Sequence, residues 1–245
     1  ILNAPLTENA DIYVTDLPCP NCAKAIVEAR INNVYIDSHT HNTPLGLKIK
    51  PFFDNISMPV FKAAGVNVFE LDNTTKTSTP LFERKAATLR PIQRPVHHIP
   101  LELAQINQEH FTALIKEQNP EHPFAACYAK TMLGQYTFLC AHVHRSIGLS
   151  MEQEQKIHQT HNKYEPTIQP LNRLILTCAR YGMKIDSTYL YTAQVPTSRE
   201  FVNLIGAGYT ALQIGNFHKS RDKWGLQALK QIRENHIIEI IDLNN

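Results

Sequence analysis

The chain has 245 residues, enough for one large domain or two modest ones with proper cores. Hydrophobic residues make up 43% and charged residues 19%, a globular balance that excludes a disordered chain. A net charge of +2 is too small to imply a nucleic-acid-binding surface, and no apolar run nears the roughly 20 residues of a membrane span.

The opening ILNAPLTENADIYV lacks the basic start and apolar stretch of a signal peptide. Within it, DIYVT (11–15) is β-branched and aromatic, as a strand is. From Pro20 the pattern changes, with Ala23, Ile26, Val27 and Arg30 at helical spacing and proline in the first turn. NNVYID (32–37) reads as a second strand. After a polar, proline-containing loop, ISMPVFKAAG reads as a helix ending at Gly65, and VNVFEL as a third strand. The order β-α-β-α-β predicts parallel strands joined by crossover helices in a layered α/β sheet.

Residues 74–95, TTKTSTPLFERKAATLRPIQRP, set Lys76, Arg84, Lys85, Arg90 and Arg94 against Glu83, with three prolines and no period. This predicts a solvated basic linker, with a phosphate-tracking segment as the alternative. It would join one domain over 1–73 to another over 96–245. In the latter, Pro100 opens a predicted amphipathic helix, PLELAQINQEHFTALIKEQ, followed by a strand, YTFLCAHVH, and a partly helical stretch to about residue 168. Helices PLNRLILTCARYG, SREFVNLIGAG and SRDKWGLQALKQIREN then alternate with strands TYLYTAQ, TALQIG and HIIEII.

The tail repeats the head. Setting Tyr191 on Tyr13, an offset of 178, aligns Pro196 with Pro18, Ala207 with Ala29 and Ile214 with Ile36. Leu190, Val195, Ile205 and Leu212 meet Ile12, Leu17, Val27 and Val34 at matching phases, which predicts an internal duplication.

Five cysteines, Cys19, Cys22, Cys127, Cys140 and Cys178, are few, odd in number and mostly in apolar stretches. That pattern points to a reducing compartment, the cytosol by default. Cys19 and Cys22 stand three apart in the first turn of the predicted helix, on one face, where the helix start favours thiolates. The same geometry suits half of a tetrahedral zinc site, a redox dithiol, or two small core residues.

YVTDLPCPNCAKAIVEARINNVYI resembles the second zinc motif of the cytidine and deoxycytidylate deaminase superfamily, in which a strand leads into Pro-Cys-x-x-Cys at a helix start. FKAAGVNVFEL resembles the closing helix and strand of deoxycytidylate deaminases. The likeness covers roughly residues 1–72 and departs at Arg30, where the usual residue is glycine. It implies a three-layer α-β-α cytidine-deaminase-like sheet in two tandem copies, Zn2+ held by Cys19 and Cys22, and a hydrolase. The implied reaction is deamination of a cytosine nucleotide of the deoxycytidylate type, dCMP to dUMP.

The resemblance also implies a third ligand, His or Cys, and a proton-shuttling Glu from a His-x-Glu helix. No such triplet precedes Cys19, so both are expected ahead of Ile1, leaving 1–73 as the C-terminal part of a deaminase domain and no catalytic residue within this chain. Replacements from His39, His41, His142, His144, His158, His161 or Glu8 are disfavoured, because none of these histidines is followed two residues later by Glu. At the offset of 178, Thr197 and Glu200 replace Cys19 and Cys22, so the second copy is expected to hold no metal. Its helix start, near Arg199, could bind an anion or serve only as structure.

The implied partner is a free pyrimidine nucleotide, without a membrane and within a homo-oligomer. A deaminase acting on tRNA, other RNA or single-stranded DNA is the second reading, and a non-catalytic binding or scaffold protein the third.

Overall fold

The computed structural model describes residues 6–85, 90–91, 96–118, 122–160 and 166–242. Its elements begin with β1 (Asp11–Val14), α1 (Pro20–Glu28), β2 (Asn33–Asp37), α2 (Pro44–Phe52), α3 (Met58–Ala64), β3 (Asn67–Asp72) and β4 (Thr77–Phe82). Next come β5 (Val96–Leu101), α4 (Gln108–Lys116), β6 (Phe124–Lys130), β7 (Tyr136–His142), the two-residue β8 (His144–Arg145), α5 (Met151–Thr160) and β9 (Thr167–Ile168). The chain continues through α6 (Pro170–Tyr181), β10 (Lys184–Thr192), α7 (Ser198–Gly206), β11 (Ala211–Ile214), α8 (Lys223–Glu234) and β12 (Glu239–Asp242). The described residues form two compact units: a head unit between 6 and 91 with those between 145 and 168, and a tail unit between 96 and 144 with those between 169 and 242.

In the head unit the sheet order is β1-β2-β3-β4. The first three strands are parallel, Tyr13 facing Tyr35 and Tyr35 facing Phe69. Val34, Ile36 and Val68 point to one side, where Ala23 and Val27 of α1 and Val60 and Phe61 of α3 are buried with them. On the opposite side Tyr13, Tyr35 and Phe69 stack ring on ring at 4.7 and 5.1 Å. Gly65 ends α3 in the left-handed region at φ 66°, the conformation glycine adopts without a Cβ penalty.

The tail unit has the order β12-β11-β10-β6-β7-β5. β10, β11 and β12 are parallel, and β6, β7 and β5 add antiparallel. Alternate residues of β6 divide two cores. Ala125, Cys127 and Ala129 pack with Leu171 and Leu174 of α6, Phe201 and Leu204 of α7, and Leu229 and Ile232 of α8. Phe124, Ala126 and Tyr128 pack with Phe111, Leu114 and Ile115 of α4 on the other face. Helices thus cover both faces of the sheet, a three-layer α/β fold.

Two expected elements change, both through proline. Pro100 lies in β5 rather than at a helix start, and α4 begins at Gln108, where Asn107 caps it by accepting from the His110 N–H at 2.9 Å. The stretch expected as a linker contributes β4, which pairs antiparallel with β3 and contains Pro80. β4 and β5 are the outer strands of their sheets, the place where a residue without an N–H is tolerated. The described residues between 145 and 168 group with the head unit. The proline-containing loop after β2 carries a further helix, α2, capped by Thr43, whose Oγ1 accepts from the Gly46 N–H at 2.9 Å.

Candidate functional site

α1 starts where the parallel strand β1 ends, the edge at which open α/β sheets present their ligands. Cys19 is its N-cap, in extended conformation at φ −64° and ψ 163°, and Pro20 opens the first turn. The Cys22 N–H donates to Cys19 Sγ at 3.4 Å, so a thiol sulfur fills the acceptor role that Ser, Thr or Asp usually takes. The two sulfurs lie 3.2 Å apart, Cys22 exposed and Cys19 half-buried. No acidic residue stands in the first turn, which leaves the partial positive charge of the helix start facing the thiols.

The surrounding structure holds this turn in place. Ala23 and Val27 are fully buried, fixing the rotation of α1 about its axis. Ahead of the cysteines, the buried Leu17 N–H donates to Thr40 Oγ1 at 3.2 Å, tying the loop to the 3₁₀ turn Ser38–Asn42. On the far side of α1, Lys24 Nζ donates to the Thr167 carbonyl at 2.9 Å.

Two thiols at this separation can share one ion, given sulfur–zinc bonds of about 2.3 Å. A tetrahedral ion with bonds of that length sets its sulfurs about 3.8 Å apart, so the pair, at 3.2 Å, would open by about half an ångström to act as two of four ligands. Among the described residues no group of three or more His, Cys, Asp and Glu is placed to hold a metal. His39 bonds to Asp37 at 3.1 Å, and His41 Nε2 to Glu70 Oε2 at 2.8 Å. Glu8 pairs with Arg30 Nε at 3.5 Å. His142 lies in the tail unit, its ring edge-on to His97 and its Nε2 3.8 Å from Cys140 Sγ, and burial pushes its pKa down. His144 belongs to β8, His158 to α5 with its side chain outside the described residues, and His161 lies outside them altogether.

The tail unit offers a direct control. At the offset of 178, α7 spans the residues equivalent to α1 end for end, and Thr197 is its N-cap as Cys19 is that of α1. The Glu200 N–H donates to Thr197 Oγ1 at 3.3 Å, the counterpart of the Cys22-to-Cys19 bond. Strand register also repeats: Tyr13 faces Tyr35 and Val14 faces Ile36, while Tyr191 faces Gln213 and Thr192 faces Ile214.

Three features escaped sequence reasoning. Thr40 anchors the cysteine loop from a polar stretch whose only signal was its β-branched residue between two histidines. An amide ladder crosses the head sheet, Asn33 Nδ2 donating to Asp11 Oδ1 and Asn67 Nδ2 to Asn33 Oδ1, each at 2.8 Å. The paired asparagines of NNVYID and VNVFEL are its trace. The third is a clasp from the basic segment: Arg90 donates to the Ile31, Arg30 and Ala64 carbonyls, and Arg84 to that of Gly65.

A stretch of 63 residues is 40% identical to an uncharacterized deaminase in luxG 3'region, from Aliivibrio fischeri. The match takes in 25% of this chain and 40% of the relative, so the chain spans less than half of that protein's length. No family model matches the chain. No solved structure matches it. Among the described residues no helix is long and apolar enough to cross a membrane. The comparison supports kinship with a deaminase over 63 residues of the chain.

Proposed function

We propose that the chain is part of a zinc-dependent hydrolytic deaminase acting on a cytosine nucleotide of the deoxycytidylate type, with Cys19 and Cys22 as two zinc ligands. The observation that carries this reading is the pair of sulfurs 3.2 Å apart at the start of α1. The stretch similar to a protein named as a deaminase supports the reaction class. In this reading a water adds at C4 of the ring, the bond from C4 to the exocyclic nitrogen breaks, and ammonia leaves. Zinc, when bound, supplies the Lewis acid that makes water nucleophilic near neutral pH.

The chain's own contribution is positional. The buried face of α1 and the Leu17–Thr40 bond hold both thiols at the C-terminal edge of the parallel strands. A third ligand and the Glu that moves protons to the ring nitrogen and the departing ammonia come from outside the described residues. The tail unit is a second copy without a metal centre, in a cytoplasmic, oligomeric enzyme. A free nucleotide is preferred over nucleic acid because Arg84 and Arg90 are engaged with main-chain carbonyls rather than arrayed along a surface.

The test uses the natural full-length protein, measuring zinc content and ammonia release from dCMP. Bound zinc with dCMP turnover is expected. Turnover only of a cytosine-containing oligonucleotide, with strong salt dependence, would replace this reading by the nucleic-acid one. Zinc retained with no turnover of either would leave a binding or scaffold protein.

A further inference from the structure

In the tail unit one carboxylate joins two helix starts. Glu200 is 4% exposed and sits in the first turn of α7. Its Oε2 accepts from the Thr197 N–H and the Thr197 hydroxyl, both at 2.9 Å. Its Oε1 accepts from the Leu171 N–H at 3.0 Å, in the first turn of α6. Asp222, the N-cap of α8, extends the series by accepting from the Ser198 N–H at 3.2 Å and the Ser198 hydroxyl at 3.1 Å. The starts of α6, α7 and α8 are thereby linked through two carboxylates.

This arrangement is at odds with a metal centre. Glu200 occupies the position that Cys22 holds in the head unit, and both of its oxygens are already engaged by donors. Thr197, in the place of Cys19, is turned toward Glu200 rather than outward. The first turn of α6 reads Pro-Leu-Asn, with no imidazole or thiol.

We propose that Glu200 stands in for a metal ion, clamping the starts of α6 and α7 so that the tail unit is held closed without one. A bound cation in such a junction would hold side chains of both helices; Glu200 instead holds their backbone N–H groups directly. The same groups that would make the junction attractive to an anion are satisfied internally. The bonds of the clamp are tail-unit geometry, and that it takes a metal's place rests on the proposed reading of Cys19 and Cys22 as ligands, whether or not the head unit deaminates dCMP.

Hydrogen exchange of the full chain, with and without EDTA, tests it at the Leu171 and Thr197 amides. In the wild type EDTA leaves both amides as protected as before. Glu200→Gln puts an amide NH₂ against one of the N–H donors, and exchange at Leu171 or Thr197 rises about tenfold or more. Thr197→Val, which deletes one donor and preserves side-chain shape, raises it less and serves should Glu200→Gln fail to fold. Loss of protection in wild type on adding EDTA, or unchanged protection in Glu200→Gln, overturns the clamp.

Discussion

α1 and α7 start 178 residues apart on strand pairs of the same register, Tyr13 opposite Tyr35 in one and Tyr191 opposite Gln213 in the other. Each is preceded by proline and capped by a side chain that accepts from the N–H three residues on. What differs is the chemistry at the cap. The head unit places two soft sulfur donors there, one of them exposed. The tail unit places a hydroxyl and a buried carboxylate, both consumed by bonds within the unit. A helix start is a ready site for negative charge, and the two units fill it differently: one with a pair of thiols, one of them exposed, and the other with a buried carboxylate.

The largest effect expected from breaking this contrast is at the thiols. Cys19→Ala or Cys22→Ala is expected to abolish bound zinc and deamination, whereas Thr197→Ala leaves both intact. Metal analysis of the three purified variants decides the matter, and wild-type zinc content in Cys19→Ala would sink the ligand assignment.

Next in size is the carboxylate. A hydrogen bond to a charged group contributes about 1.5–3 kcal/mol, so Glu200→Gln is expected to destabilise the tail unit by about 2 kcal/mol at neutral pH. Burial pushes the Glu200 carboxyl above its ordinary value of 4.5, against the opposing pull of the Thr197 and Leu171 donors and of Arg221. A carboxyl with a raised folded pKa contributes most below its unfolded pKa, and that contribution is lost as pH rises through the folded value. The stability gap between wild type and Glu200→Gln should therefore widen on acidification from neutrality toward pH 4.5. Urea titrations of both proteins across that range read it out, and a gap that narrows contradicts the assignment.

How much of this could be read in the sequence follows from the kind of signal each part carries. Strand and helix periodicity exposed the β1–α1–β2 and β10–α7–β11 frames, because apolar spacing reports the buried face directly. The cysteine pair was visible because three-residue spacing at a helix start fixes a shared face. β4, β5 and β6 were hidden for separate reasons. Pro80 and Pro100 argued against strands that are tolerated because they lie at sheet edges. FAACYAK, buried on both faces, shows no alternation at all. Glu200 was seen only as a lost cysteine; its bond to Leu171 links residues 29 apart, a contact no local pattern announces.

The basic segment offers a smaller test. Arg90 reaches the ends of two helices at once, donating to the Ile31 carbonyl at 2.8 Å and the Arg30 carbonyl at 3.2 Å just beyond α1, and to the Ala64 carbonyl at 3.5 Å at the end of α3. Such groups at the end of a helix are left without intrahelical partners. Arg90→Ala is expected to lower head-unit stability by about 1–2 kcal/mol, measured by thermal unfolding. An unchanged melting curve together with weakened nucleic-acid binding would restore the phosphate-tracking alternative.

The smallest effect sharpens the head-and-tail comparison at one residue. Arg30 has φ 60°, and its counterpart at the same offset, Gly208, has φ 80°. A left-handed backbone costs a residue with a Cβ about 1–2 kcal/mol, and Gly208 avoids that cost. Arg30 offsets it with side-chain bonds: Nη1 donates to the Pro91 carbonyl at 2.8 Å, and Nε lies 3.5 Å from Glu8. A bond of the first kind contributes about 1 kcal/mol, and an ion pair of the second less than that. Arg30→Gly relieves the backbone and forfeits both, so its net change should fall within about 1 kcal/mol of zero. Gly208→Ala gains nothing in return and should destabilise by about 1–2 kcal/mol. Equilibrium denaturation of the two variants separates these outcomes. A large loss in Arg30→Gly would mean that the guanidinium, rather than the turn itself, holds the end of α1 against the segment that follows β4.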